Sequence, residues 1–269
     1  MIDDIKNLPP LPASIRKIQE LCMEDEINLS LLIKTIETDP MLCANILKAS
    51  NSPLYGMSRE IHSVNQAVML FGVTMIRGFA AANAIKKIFP LDISPYGITV
   101  ERLSEISTLQ QALVRGWYSG VDKTKLPLLL SASFLMELGK LAAAFRILKL
   151  GHKEEFVQAL EQFGEISVVE TQFLGMDSYS IGSAMFQHWH FESELIDVLK
   201  QIHAPKPGSL ASILNVVGTA INVNESLSEG SIKRAIVAIE QFGLDRVSFE
   251  KAVNELKDIN ANRANTSCR

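Results

Sequence analysis

At 269 residues, 47% apolar and 21% charged, the chain can form one large domain or two modest ones, and this ordinary globular balance excludes wholesale disorder. Net charge is −4; nine basic and ten acidic residues precede residue 99 and seventeen and twenty follow, so neither part is the basic module of a nucleic-acid binder. No apolar run approaches the ~18–20 residues of a membrane span, and Met1-Ile2-Asp3-Asp4-Ile5-Lys6 lacks a signal peptide's pattern.

The elements read as helices with short connections. Ile15, Ile18, Leu21 and Cys22 follow Pro12 at helical spacing. Asn28 can cap a helix whose apolar face is Leu29, Leu32, Ile33 and Ile36. Asp39-Pro40 is a cap followed by proline at the first helical position, and Asn51-Ser52-Pro53 with Gly56 breaks the helix that it opens. Ser63-Val64-Asn65-Gln66 is a capping-box pattern whose helix should stop at Gly72. A further helix is expected over about 73–88, and residues 90–97 form the best internal boundary.

A long helix is expected over 100–119 and a loop over 123–126. Pro127 then opens the most apolar helix, 128–138. Helices follow at about 140–149, 153–163, 166–174, 179–189, 192–203, 209–223, 231–242 and 248–259, with Gly151, Gly164, Gly175 and Gly243 at helix ends. Period-2 alternation is absent, so the expected fold class is all-α: an N-terminal helical lobe over 1–98 packed on a second lobe over 99–259, with a flexible tail over 260–269. Cys22 and Cys43 lie in apolar helical patterns as small core residues. They and Cys268 have no metal-type spacing, which suits a reducing cytoplasm.

Four motifs occur in order: Leu8-Pro9-Pro10-Leu11-Pro12, Ile36-Glu37-Thr38-Asp39-Pro40, the Ala49–Gly56 stretch, and the Ile61–Gly72 stretch. In this the chain resembles the HDOD family, the HD-related output domains of bacterial signalling, from about Leu8 to Pro205. The second lobe is accordingly expected to be HD-like. In metal-binding HD relatives, the frame found here as Ser133-Phe134-Leu135-Met136-Glu137-Leu138-Gly139-Lys140-Leu141 carries a His-Asp pair. Here that pair is Met136-Glu137, and a thioether cannot replace imidazole on a hard or borderline divalent ion.

The resemblance places the other ligand positions of the remnant HD site at Ser107, Ser178, His203 and Gly218. Only Glu137 and His203 carry groups able to ligate, fewer than a zinc or two-metal site takes. Simpler readings are a salt-bridged or exposed Glu137 beside Lys140, and a polar cap near a helix end for His203. His188 and His190 flank Trp189 and make a poor chelate. Nucleotide-binding and hydrolase signatures are absent.

No catalytic residue, metal ligand or cofactor is assigned. The expected function is a non-catalytic bacterial signal-transduction and regulatory module acting through protein or small-ligand binding. Expected partners are signalling proteins of a cyclic-dinucleotide or two-component network, with no membrane and no nucleic acid, in the cytoplasm. A candidate partner surface comprises Asp39, Asn51, Ser52, Tyr55 and Arg59. The alternative is a residual nucleotide-binding or HD-type phosphohydrolase protein using Lys140, Arg115 or Arg146.

Overall fold

The structure is a computed structural model and describes residues 1–24, 26–55 and 60–266, with side chains described to residue 261. Gly56 and Arg59 therefore lie outside the described residues. Among the described residues the fold is all-α, with no strand beyond one isolated antiparallel bridge between Ile221 and Ser226.

The first helices are α1 (Ile2–Lys6), α2 (Ala13–Cys22), α3 (Leu29–Glu37), α4 (Pro40–Ser50) and α5 (Val64–Ile88). Side-chain caps set three of the starts. Asn28 accepts from Leu31 N–H, Asp39 from Leu42 N–H and Ser63 from Gln66 N–H, while Gln66 reaches back to the N–H of His62. Helix α5 bends at Gly72, whose φ of 73° is open to glycine at little cost, so the expected stop is a kink between two helical pieces. Helix α1 has too few residues to show a period and was not expected. Its Ile5 is buried in the core.

The second part contains α6 (Val100–Tyr118), α7 (Leu126–Leu135), α8 (Gly139–Leu150), α9 (Lys153–Phe163), α10 (Ile166–Leu174) and α11 (Ser178–His188). It continues with α12 (Ser193–Lys200), α13 (Leu210–Ala220), α14 (Glu229–Phe242) and α15 (Arg246–Thr266). Helix α7 starts earlier than expected because Pro127 sits within its first turn, where a missing N–H leaves no bond unmade. It also stops earlier, and residues 136–138 form a turn before α8. The expected tail over 260–269 is helical as far as Thr266, a continuation of α15. The ends at Gly151, Gly164, Gly175 and Gly243 are left-handed caps, as expected.

The segments 64–88 and 126–150 are long and apolar enough to cross a membrane, against the expectation that no such run exists. Both are core segments: 72% and 83% of their apolar windows are buried within the fold. The first is broken by Gly72 and the second by the turn at residues 136–138.

The two parts are stitched together at several depths. Phe79 of α5 meets Phe134 of α7 edge-to-face at 4.9 Å, in a chain that continues through Phe71 to Tyr55. Trp189 Nε1 donates to the Pro9 carbonyl at 3.1 Å and His188 Nε2 lies 3.2 Å from the Leu8 carbonyl, so the proline-rich motif docks on the end of α11. Buried Arg77 pairs with Glu192 and lies over the Phe191 ring.

Candidate functional site

Met136, Glu137 and Ser178 of the frame lie where the turn after α7 meets the starts of α8 and α11. A Cβ on Gly139 would overlap the Ser178 carbonyl oxygen, so glycine lets the two helix starts touch backbone to backbone. That approach delivers Lys140 to Ser178. Its Nζ lies 3.0 Å from Ser178 Oγ, 2.8 Å from Glu137 Oε2 and 4.0 Å from Glu170 Oε1. The contact to Glu137 Oε2 lies off the hydrogen-bond direction and acts as a charge pair.

The carboxylates are held from several sides. Gln110 Nε2 donates to Glu137 Oε1 and to the Ile221 carbonyl, each at 2.8 Å. Glu170 accepts from Tyr96 Oη at 2.7 Å and from Ser178 N–H at 2.6 Å. The Tyr179 and Tyr96 rings stand 5.1 and 5.9 Å from Lys140 Nζ. Glu137 and Glu170 are fully buried and Lys140 nearly so. The simple reading of Glu137 as salt-bridged is what the structure has. Its exposed alternative is corrected, because Gln110 and Lys140 allow the charge to be held in the core.

Burial alone would lower the Lys140 pKa, but the Glu137 and Glu170 carboxylates, and Tyr179, outweigh it and hold the ammonium above its ordinary value. Burial pushes the Glu170 carboxyl up, and Lys140, the Ser178 N–H and Tyr96 pull it only part of the way back. Removing one member of such a buried set exposes the rest to an uncompensated charge, typically about 3–5 kcal/mol.

Of the six frame positions, Met136, Glu137, Ser178, Ser107 and Gly218 are buried and His203 is exposed. A Cβ on Gly218 would stand 2.9 Å from Tyr179 Oη and 3.8 Å from Met136 Cε, so Met136, Tyr179 and Gly218 adjoin. Ser107 lies one helical turn before Gln110 on α6, its hydroxyl without a protein partner. His203 is three residues beyond the end of α12 and not in a helix. It lines the mouth of a cleft of about 530 Å³ whose wall includes Lys140, Glu170, Tyr179, Gly218 and Arg234.

The donor set does not fit a divalent metal. Glu137 faces an ammonium, Met136 offers a thioether, and among the described residues no group of three or more His, Cys, Asp or Glu could hold a metal ion. The sequence reasoning missed Glu170, Tyr96, Tyr179 and Gln110. One signal was available: Glu170 occupies the apolar stripe of α10 with Ile166, Val169 and Phe173, where a carboxylate needs a buried partner.

On the candidate partner surface, Asp39 caps α4 and its Oδ2 pairs with Lys87 at 3.0 Å. Lys86, the neighbour of Lys87 on α5, donates to Ser104 Oγ at 2.7 Å. Asn51 ties the end of α4 to Ile61: Nδ2 donates to the Ile61 carbonyl at 2.8 Å and Oδ1 accepts from Ile61 N–H at 2.7 Å. Ser52 accepts the Tyr55 N–H through its carbonyl. Tyr55 Oη pairs with Gln111 of α6, and the Arg115 guanidinium lies 5.7 Å from the Tyr55 ring.

The HDOD domain family matches residues 8–205. The chain belongs to the HDOD family. Solved structures share the fold at low identity. A virulence factor from Campylobacter jejuni is 24% identical with a TM-score of 0.57, covering 96% of this chain and 95% of its own. A protein from Shewanella amazonensis, provisionally named a phosphohydrolase, is 18% identical with a TM-score of 0.68, covering 96% and 93%. A protein from Marinobacter aquaeolei, provisionally named for signal transduction, is 22% identical with a TM-score of 0.68, covering 99% of this chain and 61% of its own. No curated protein matches the chain.

Proposed function

We propose that this HDOD chain is a non-catalytic bacterial signal-transduction and regulatory module, acting by binding another protein or a small ligand in the cleft. One observation carries the proposal. The metal-binding frame of an HD domain is filled by Met136, a buried Ser107 and Gly218, and its one remaining carboxylate, Glu137, faces Lys140. The name of the Marinobacter relative agrees with a signalling role. The partners are then signalling proteins of a cyclic-dinucleotide or two-component network in the cytoplasm, with neither membrane nor nucleic acid required.

The phosphohydrolase or nucleotide-binding alternative needs its cations to converge. Lys140 is engaged with Glu137, Arg115 lies over the Tyr55 ring, and Arg146 stands 3.4 Å from Asp4 at a separate cavity of about 350 Å³. These positions favour the regulatory proposal.

The output face is built around the α4 start, where Asp39 is fixed by its cap and Lys87 while Met41 is 61% exposed. A pre-ordered face loses little entropy on binding. Affinity capture from native cells tests this with wild type and Met41→Glu. A partner that wild type retains and the folded variant loses supports the face. Unchanged capture moves the output to the cleft.

A further inference from the structure

Lys140 is enclosed in a way that an ordinary surface ion pair is not. Its Nζ is surrounded by oxygens from three separate elements: Glu137 of the turn before α8, Glu170 of α10 and Ser178 at the start of α11. The Tyr96 and Tyr179 rings cover its flanks. Lys140 is 2% exposed, and the whole arrangement sits beside Met136 and Gly218, where the family frame places metal ligands. A divalent ion entering here would meet a tethered positive charge at the carboxylate it requires.

We infer that the Lys140 ammonium is the resident cation of the degenerate site. It joins the α7–α8 turn, α10 and α11 through their oxygens, as a bound ion would, and makes the fold independent of metal. The inference goes beyond the proposed signalling role and holds whether the output is a protein or a small ligand.

Denaturation midpoints of the full chain test it, for wild type, Lys140→Met, Glu137→Gln, the double variant, and a triple variant adding Glu170→Gln. Each is measured with EDTA and with millimolar Mn²⁺. Methionine keeps the apolar stem and removes the charge. The expected wild-type midpoint is the same in EDTA and Mn²⁺. Lys140→Met should lower the midpoint strongly, and adding Glu137→Gln should restore part of the loss, because the stranded carboxylate is then neutral. That non-additivity is the signature of a charge role.

Two results would overturn the inference. One is a saturable rise of the wild-type midpoint in Mn²⁺ that EDTA reverses, since a metal would then supply the charge. The other is a double variant that loses at least the sum of the two single losses, since Lys140 would then act by packing. If Lys140→Met fails to fold, folding of the triple variant supports the inference and its failure refutes it.

Discussion

Gly139→Ala is the sharpest probe of how this site is assembled. The new Cβ would overlap the Ser178 carbonyl oxygen and stand 2.8 Å from Gly182 N and 2.9 Å from Ser178 C. Ordinary contacts between carbon atoms begin near about 3.5 Å. All three obstacles are backbone at the start of α11, so no side-chain rotation relieves the overlap and the two helix starts must separate. Overpacking of this kind costs about 3 kcal/mol, the upper end of the usual range. At about 2–4 °C per kcal/mol for a chain near this size, Tm should fall by roughly 6–12 °C.

Gly182→Ala is the matched control on the facing helix. Its Cβ would lie 3.6 Å from Gly139 N, an ordinary contact, and alanine favours a helix by about 1 kcal/mol over glycine. Differential scanning calorimetry on both variants decides the matter. Equal Tm values for the two would refute the backbone-to-backbone approach on which the position of Lys140 depends.

Three further outcomes are expected. Asp39→Ala removes the α4 cap and the Lys87 pair and should cost about 1 kcal/mol in urea denaturation. Burial opposes ionisation of Asp39, but the Leu42 N–H and Lys87 hold its carboxyl below the ordinary value. Its contribution is therefore full above the usual aspartate pKa of about 3.9, fades as pH falls through the lower folded value, and should vanish from the mutant comparison in acid. Asn51→Ala strands both backbone groups of Ile61 and should cost about 2 kcal/mol by the same assay. Burial pushes the Cys22 thiol up to about 12, with Arg77 pulling the other way, so at pH 8 iodoacetamide should leave Cys22 unmodified until urea unfolds the chain, as read by peptide mass spectrometry.

What the sequence revealed was mostly local. Asn28, Asp39 and Ser63 cap helices because a short polar side chain beside an unpaired N–H is visible within four residues. The family frame located Met136-Glu137, Ser178 and Gly218 in one region, and the structure places them around Lys140 and Tyr179. The neutralisation of Glu137 was not legible in full. Lys140 is three residues away and was noticed, but Gln110, Glu170 and Tyr96 arrive from other helices, which a helical period does not encode. The membrane-length apolar windows were missed because a few polar residues interrupt each run without lowering its mean hydropathy enough.

The most direct measurement of the central claim is hydrolysis of cyclic dinucleotides and of a generic phosphodiester by the purified full chain, supplied in turn with Mg²⁺, Mn²⁺ and Fe²⁺. The expected result is no turnover above the protein-free control with any ion, and no change when Glu137→Gln replaces the wild type. Saturable, metal-dependent turnover that Glu137→Gln abolishes would contradict the account and make the site a working phosphohydrolase.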